Sequence, residues 1–408
     1  MTILEELRRG WRIIAGSLLG IAFGVTGLFF YSAGVFLKPI SAEFGWTRTA
    51  ISSVNLVAAL TLAGTAPLVG WLVDRFGVRA IVVASNCGLA CGFLLLSTSQ
   101  GSFPAYLALI ALTLLLGAGA APVVFTRLVN LWFDRGRGTA LGLAQMATGI
   151  AGAVIPPLLA PYVEQNGWRN GYHALAVVAL ASMPVVLLLL GRSTERSPTS
   201  TTGSPMPLPG LTLQEAVRTS AFRALALMIA CAAIAVGGVI VHLVPMLTDA
   251  GLTPERAGGI AGLLGLAIIV GRAATGMIVD RVFAPRVAFV IFLVSAGGCW
   301  LLAWGGVAWA APAAILVGLA MGAEVDLISY FVARYFGLAH YGRIYGWFYA
   351  VFMFGTAAGP LIAGAAFDRY GDYSAALVVL GAALAAASVL SWWLRPFPRF
   401  EAPAAPSA

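Results

Sequence analysis

Charge is what this chain lacks most. Only 10% of its 408 residues are Asp, Glu, Lys or Arg, while 60% are apolar and the mean hydropathy is +0.92. An ordinary soluble domain carries roughly 25% charge, so water cannot solvate this surface and lipid must do so. Lys38 is the only lysine. Histidine is scarce, with three residues, and the four cysteines (Cys87, Cys91, Cys231, Cys299) fall inside apolar runs, where they act as small hydrophobes rather than as a disulfide or metal set. No G-x-S-x-G, H-E-x-x-H or phosphate-binding loop is present, so an enzyme would lack its nucleophile or metal ligands, and no cofactor is expected. The net charge of +8 does not signal nucleic acid, because the basic residues do not cluster with solvated aromatics.

Long apolar runs fill the rest. Charged or turn-forming breaks divide the chain into segments at about 12–37, 50–73, 79–98, 103–132, 138–161, 171–191, 222–247, 256–279, 286–305, 308–333, 343–366 and 374–394. About 20 apolar residues cross a bilayer as a helix, and lipid offers backbone groups no partner outside helices or closed barrels, so the expected fold is an all-α integral membrane protein of twelve crossings. The basic flank Arg8, Arg9, Arg12 is followed by too long an apolar run, without a small-residue cleavage site, for a signal peptide, and reads as a retained first helix. Basic residues crowd one set of loop ends, among them Arg75, Arg79, Arg135, Arg137, Arg218, Arg281, Arg334 and Arg395. The other set holds Lys38, Arg48, Arg169, Arg256 and Arg369. That bias predicts a multi-pass protein of the cell inner membrane with both termini cytoplasmic. The Ser/Thr/Pro-rich stretch from Arg192 to Gly210 cannot bury a core. The expected division is therefore a six-helix bundle at 1–191, a cytoplasmic linker with a short helix capped by Thr212 and Glu215 at 192–221, and a second six-helix bundle at 222–408.

The two halves repeat. At one constant offset Pro39 matches Pro245, Gly45 matches Gly251, Gly70 matches Gly276, Asp74 matches Asp280 and Arg75 matches Arg281; later Phe133 matches Phe336, Gly138 matches Gly342 and Pro157 matches Pro360. Six crossings per repeat make the repeats parallel, with a ligand site expected between them near mid-membrane, an arrangement of which the major facilitator transporters are the known example. The loop Gly70-Trp71-Leu72-Val73-Asp74-Arg75-Phe76-Gly77-Val78-Arg79, with its shortened copy from Gly276 to Arg281, resembles the G-x-L-x-D-R-x-G-x-R/K loop of the major facilitator superfamily. That resemblance spans nearly the whole chain. It implies a conformational latch of Gly70, Asp74, Arg75, Arg79, Gly276, Asp280 and Arg281, in which Asp74 meets the start of the eleventh helix with Arg135 or Arg137 nearby. The stretches Tyr31–Ser52 and Gly322–Gly346 further resemble bacterial relatives of the monocarboxylate transporters, close to oxalate/formate antiporters.

Ionisable groups inside a membrane cost at least ~2.5–3.5 kcal/mol each and are functional candidates. Arg272 lies eight residues before Asp280, about 12 Å inside the membrane boundary at ~1.5 Å per residue, and Asp326 lies equally deep before Arg334, with Glu324 just beyond. Glu324 and Asp326 are about 200° apart on a helix, so both cannot face Arg272. By the resemblance, an eighth-helix arginine anchors the substrate carboxylate. Arg272 is then the anchor and Asp326, Glu324 or His242 the proton carrier; a static buried salt bridge is the alternative. Tyr31, Asn55, Gln145, Tyr345 and Tyr349 project from helices that line the cavity in that family. Arg127, on the fourth helix, either binds the anion or reaches back to the surface. The chain departs from the family in three places: Tyr31 stands where monocarboxylate transporters have a lysine, Ile268 stands where they have an aspartate, and no eleventh-helix lysine is present. The leading expectation is a monomeric secondary transporter that moves a small organic anion with protons by rocking of its halves. Proton-coupled efflux of hydrophobic compounds and a non-transporting membrane sensor are the alternatives.

Overall fold

The computed structural model describes residues 2–46, 48–191, 208–398 and 400. Most of the Ser/Thr/Pro-rich linker therefore lies outside the described residues. Among those described, sixteen α-helices carry the chain and the sole β pairing is an isolated antiparallel bridge between Gly210 and Gly337.

In the first half, α1 (Ile3–Ala22) and α2 (Tyr31–Phe44) form one crossing, joined by a π-helical stretch, Val25–Phe30. The second and third crossings are α3 (Arg48–Phe76) and α4 (Val78–Ser97). The fourth is split into α5 (Phe103–Gly117) and α6 (Pro122–Trp132) by a 3₁₀ turn, and the missing N–H of Pro122 suits the first position of the new helix. The fifth comprises α7 (Arg137–Gln145) and α8 (Ala147–Asn166), and α9 (Trp168–Leu190) completes the half. A short helix, α10 (Leu213–Arg218), opens the second half. There the crossings are single helices: α11 (Ser220–Asp249), α12 (Pro254–Val279), α13 (Ala284–Gly305), α14 (Ala310–Phe336), α15 (Tyr341–Tyr370) and α16 (Ser374–Trp392). Eleven apolar stretches among the described residues are long enough to span a membrane. The longest, Ala284–Phe336, contains both α13 and α14 around the 3₁₀ turn Gly306–Trp309, so the chain crosses twelve times.

The halves meet on the face that carries both chain ends, called here the terminal face, along two lines of glycine. α3 packs on α15 where a Cβ on Gly70 would strike the carbonyl of Gly342 and one on Gly346 would strike that of Ala66. α7 packs on α12 in the same way, with Gly138 against Gly276 and Gly142 against the carbonyl of Arg272. Small residues let backbones approach this closely where lipid supplies no hydrophobic drive for helix pairing. Toward the opposite face the helices diverge: around Gly34, Gly258, Gly259, Gly262 and Gly265 a Cβ would meet nothing within 4 Å among the described residues, and Asn55 is exposed. The molecule is closed at the terminal face and open at the other.

Candidate functional site

At the level where the two halves begin to part, α12 and α14 present a buried ion pair. Arg272 Nη1 donates to Asp326 Oδ1 at 3.2 Å, and each side chain is only 5% exposed. The contact is possible because Gly322, one turn before Asp326, lets α14 lie directly on α12, against the carbonyl of Ile268 and the amide of Arg272. Glu324 is also buried, but neither of its oxygens has a partner among the described residues. It stands about 200° around α14 from Asp326 and forms no hydrogen bond or ion pair with Arg272 among the described residues. Of the two acids, only Asp326 joins the arginine.

The first half contributes Gln145, fully buried one turn beyond the Gly142 contact and beside Asp326. Tyr345 of α15 adjoins Asp326 and Thr126. Arg272 Nε, Asp326 Oδ2, the Tyr345 hydroxyl and both amide atoms of Gln145 are buried with no well-formed hydrogen bond among the described residues, although Gln145 approaches Asp326 and Tyr345 approaches Thr126. Buried polar atoms are almost always paired, so this concentration marks a place built to receive a polar ligand. It offers donors from the guanidinium and acceptors from the carboxylate and amide, all drawn from the interface between halves.

Beneath it lies a polar plug. The Tyr341 hydroxyl bonds Ser329 Oγ at 2.7 Å and Thr126 Oγ1 at 3.2 Å, and Asn130 Nδ2 donates to Ser329 Oγ at 2.8 Å. Thr126 and Asn130 belong to α6, Ser329 to α14 and Tyr341 to α15, so these bonds tie one half to the other. The rings of Tyr341, Tyr345 and Tyr349 stack along α15.

Two latches seal the terminal face. Asp74, at the end of α3, accepts from the amides of Gly342 and Arg343 at 3.0 and 2.9 Å, at the start of α15. Asp280, just past α12, accepts from the amides of Gly138 and Thr139 at 2.6 and 2.8 Å and from Thr139 Oγ1 at 2.7 Å, at the start of α7. Each carboxylate sits on the partially positive end of a helix in the other half. Burial raises the Asp280 carboxyl above its ordinary value, opposed by its bonds from Thr139 and Gly138, and the neighbouring Glu6 carboxylate adds to the rise.

The remaining candidate residues make other contacts. Arg127, 12% exposed, donates from Nε to Asp74 at 2.9 Å, a contact expected of Arg135 or Arg137. Arg137 instead closes the end of α6, donating to the carbonyls of Phe133 and Asn130. Arg75 stacks over Trp71 and Phe76, and Arg79 serves its own half by donating to the carbonyls of Leu187 and Gly191. Arg281 is exposed. Tyr31 packs against Gly152 within the first half. His242 Nε2 bonds the carbonyl of Pro360 at 3.0 Å and its Nδ1 lies 3.3 Å from the Tyr373 hydroxyl, so both ring nitrogens are engaged in bracing α11 to α15 and α16. Sequence reading missed Thr126, Asn130, Ser329, Thr139 and Glu6, because an isolated hydroxyl, amide or helix-start glutamate carries no periodic signal.

The family model described as "Major Facilitator Superfamily" matches residues 19–348. Monocarboxylate transporter 11 of Mus musculus is 26% identical over 389 residues, covering 91% of this chain and 84% of the relative. Monocarboxylate transporter 13 of Bos taurus is 27% identical over 406 residues, covering 97% and 91%. Among solved structures, the human organic anion transporter MFSD10 superposes with a TM-score of 0.71 at 17% identity, over 94% of this chain and 99% of that one, a likeness of fold.

Proposed function

Since the chain belongs to the major facilitator superfamily and so is a multi-pass membrane transporter of a small organic solute, we propose that its solute is a monocarboxylate-like organic anion carried in symport with protons. The observation that carries the reading is Arg272, a guanidinium held inside the membrane on the seam between halves, with its Nε unpartnered and Asp326 as its sole ion-pair partner among the described residues. A planar guanidinium matches a carboxylate through two parallel N–H bonds. The names of the relatives point the same way.

In this reading the terminal face is cytoplasmic, the halves are the six-helix units on either side of the linker, and the structure is the outward-open state. An incoming carboxylate competes with Asp326 for Arg272. Protonation of Asp326 releases the arginine, and the substrate carboxylate then neutralises it, so one proton and one anion enter together. Gln145, contributed by the first half, senses the change and lets the halves rock around the site. In the related transporters of the resemblance the acid stands four residues before the arginine. Here Ile268 fills that position and α14 supplies the carboxylate from across the helix pair. Glu324, which makes no bond to Arg272 among the described residues, is not on this path.

Purified protein screened by thermal shift against lactate, pyruvate, oxalate, formate and aromatic acids should be stabilised by a subset of them, and Arg272→Ala should abolish the stabilisation. Stabilisation indifferent to that substitution, or none by any anion, would refute the anion reading. Proteoliposome uptake driven by an inward proton gradient should vanish in Asp326→Asn.

A further inference from the structure

Each latch aspartate grips a helix start, and each of those helix starts is held in turn by the segment that leads into its own half. In the first half the corner between α6 and α7 is pinned at consecutive points. Glu6, 8% exposed on α1, accepts from the amides of Asp134 and Gly136 at 2.8 and 2.7 Å. The next amides, Gly138 and Thr139, go to Asp280 of the other half. One turn after Glu6, Gly10 leaves room for the Phe133 ring, which a Cβ would strike. α1 and α7 lie in the same half, so the Glu6 bonds do not cross the interface and need not break when the latch opens.

The second half repeats the plan with different chemistry. Asp74 takes the amides of Gly342 and Arg343, and the corner just before them is paired to the chain leading into α10: Leu211 N donates to Phe336 O at 2.8 Å and Leu338 N to Pro209 O at 3.0 Å. Gly210 and Gly337 face one another at the bridge, both at positive φ, where a side chain would be strained. The leading helices also match, since both α1 and α10 begin with a capping box, Thr2 with Glu5 and Thr212 with Glu215.

We propose that these leading segments set the strength of the latches, and that Glu6 is a positioning residue for Asp280: by fixing the Asp134 and Gly136 amides it orients the adjoining Gly138 and Thr139 amides toward the other half before the halves meet. A carboxylate that binds a preorganised pair of donors loses less freedom than one that must order them. This preorganisation outweighs the repulsion between the nearby Glu6 and Asp280 carboxylates, so Glu6 favours the state closed at the terminal face by acting on one latch and not the other. This concerns the balance between the two openings and stands whether or not Arg272 binds an anion.

The test uses spin labels at exposed Phe76 and Val282, on opposite halves of the terminal face, in a cysteine-free background. Glu6→Gln should raise the ratio of long to short distances about fivefold. In the Asp280→Asn background the same substitution should add little, because the bond it prepares is gone. Amide exchange should quicken more in peptides covering Gly138 and Thr139, which lose both their support and their latch, than at Gly342 and Arg343, which are freed only by the added opening, an asymmetry that general destabilisation would not produce. Glu6→Asp keeps the charge but is one methylene too short to reach both amides, and should show the same shift if the glutamine variant does not fold. Unchanged distances in a folded variant, full additivity with Asp280→Asn, or equal exchange at both corners would overturn the proposal.

Discussion

Replacing Asp74 by Asn separates two roles that the carboxylate plays at once. Its oxygens accept the Gly342 and Arg343 amides across the interface and the Arg127 guanidinium within its own half. Only the first pair breaks when the terminal face opens. Charge-assisted hydrogen bonds contribute about 1.5–3 kcal/mol, and a partly buried charge at a helix start gains up to about 2 kcal/mol. Asparagine keeps one acceptor and turns an N–H toward the other donor, so the closed terminal face should lose about 2–3 kcal/mol, an equilibrium shift of about 30- to 150-fold toward the opposite opening. Loss of the Arg127 pair, whose partners are 12% and 10% exposed, lowers stability in both states alike and does not enter that ratio. Arg127→Met is therefore the control: it should lower the melting temperature in detergent about as much as Asp74→Asn while leaving the distance distribution between labels on the terminal face nearly unchanged. An Arg127→Met shift as large as that of Asp74→Asn, or no shift in Asp74→Asn, would refute the reasoning.

Other outcomes follow from the same contacts. Asp326→Leu or Arg272→Leu alone strands a buried charge and should cost about 3–5 kcal/mol in chemical unfolding, whereas the double variant should cost less than either; additive losses would rule out the pair. Glu324→Gln, which removes no ion pair or hydrogen bond seen among the described residues, should fold within about 1 kcal/mol of the parent and keep gradient-driven uptake; its loss would move proton coupling to Glu324. Tyr341→Phe strips the hydroxyl shared by Ser329 and Thr126 and should favour opening of the terminal face, read as a larger share of long distances between labels at Phe76 and Val282. Gly346→Val would drive a side chain into the carbonyl of Ala66 and should hold the same face open, with transport lost and folding retained.

Much of the fold is legible in the chain because lipid imposes a simple rule: a backbone in hydrocarbon must satisfy itself, so long apolar runs become helices. The runs around 286–305 and 308–333 are read as two crossings from the short break at Gly305–Val307, and α13 and α14 part there. The duplicated Asp74 and Asp280 are likewise visible as a repeat at constant offset. Partners are a different matter. Arg127 and Arg137 both lie close in sequence to the end of α6, and neither hydropathy nor spacing separates their roles, yet one meets Asp74 and the other closes α6.

What the amino-acid sequence determined by itself is therefore the set of crossings, their duplication and the few charges placed at membrane depth, all of which depend on local hydropathy and helical rise. What only the tertiary structure decided is which charges meet. The choice of Asp326 over Glu324 for Arg272, of Arg127 for Asp74, and of Glu6 for the amides that prepare the Asp280 latch depends on how glycine-lined helices approach and rotate against one another. That rotation is set by contacts far apart in the chain, and no local pattern of residues carries it.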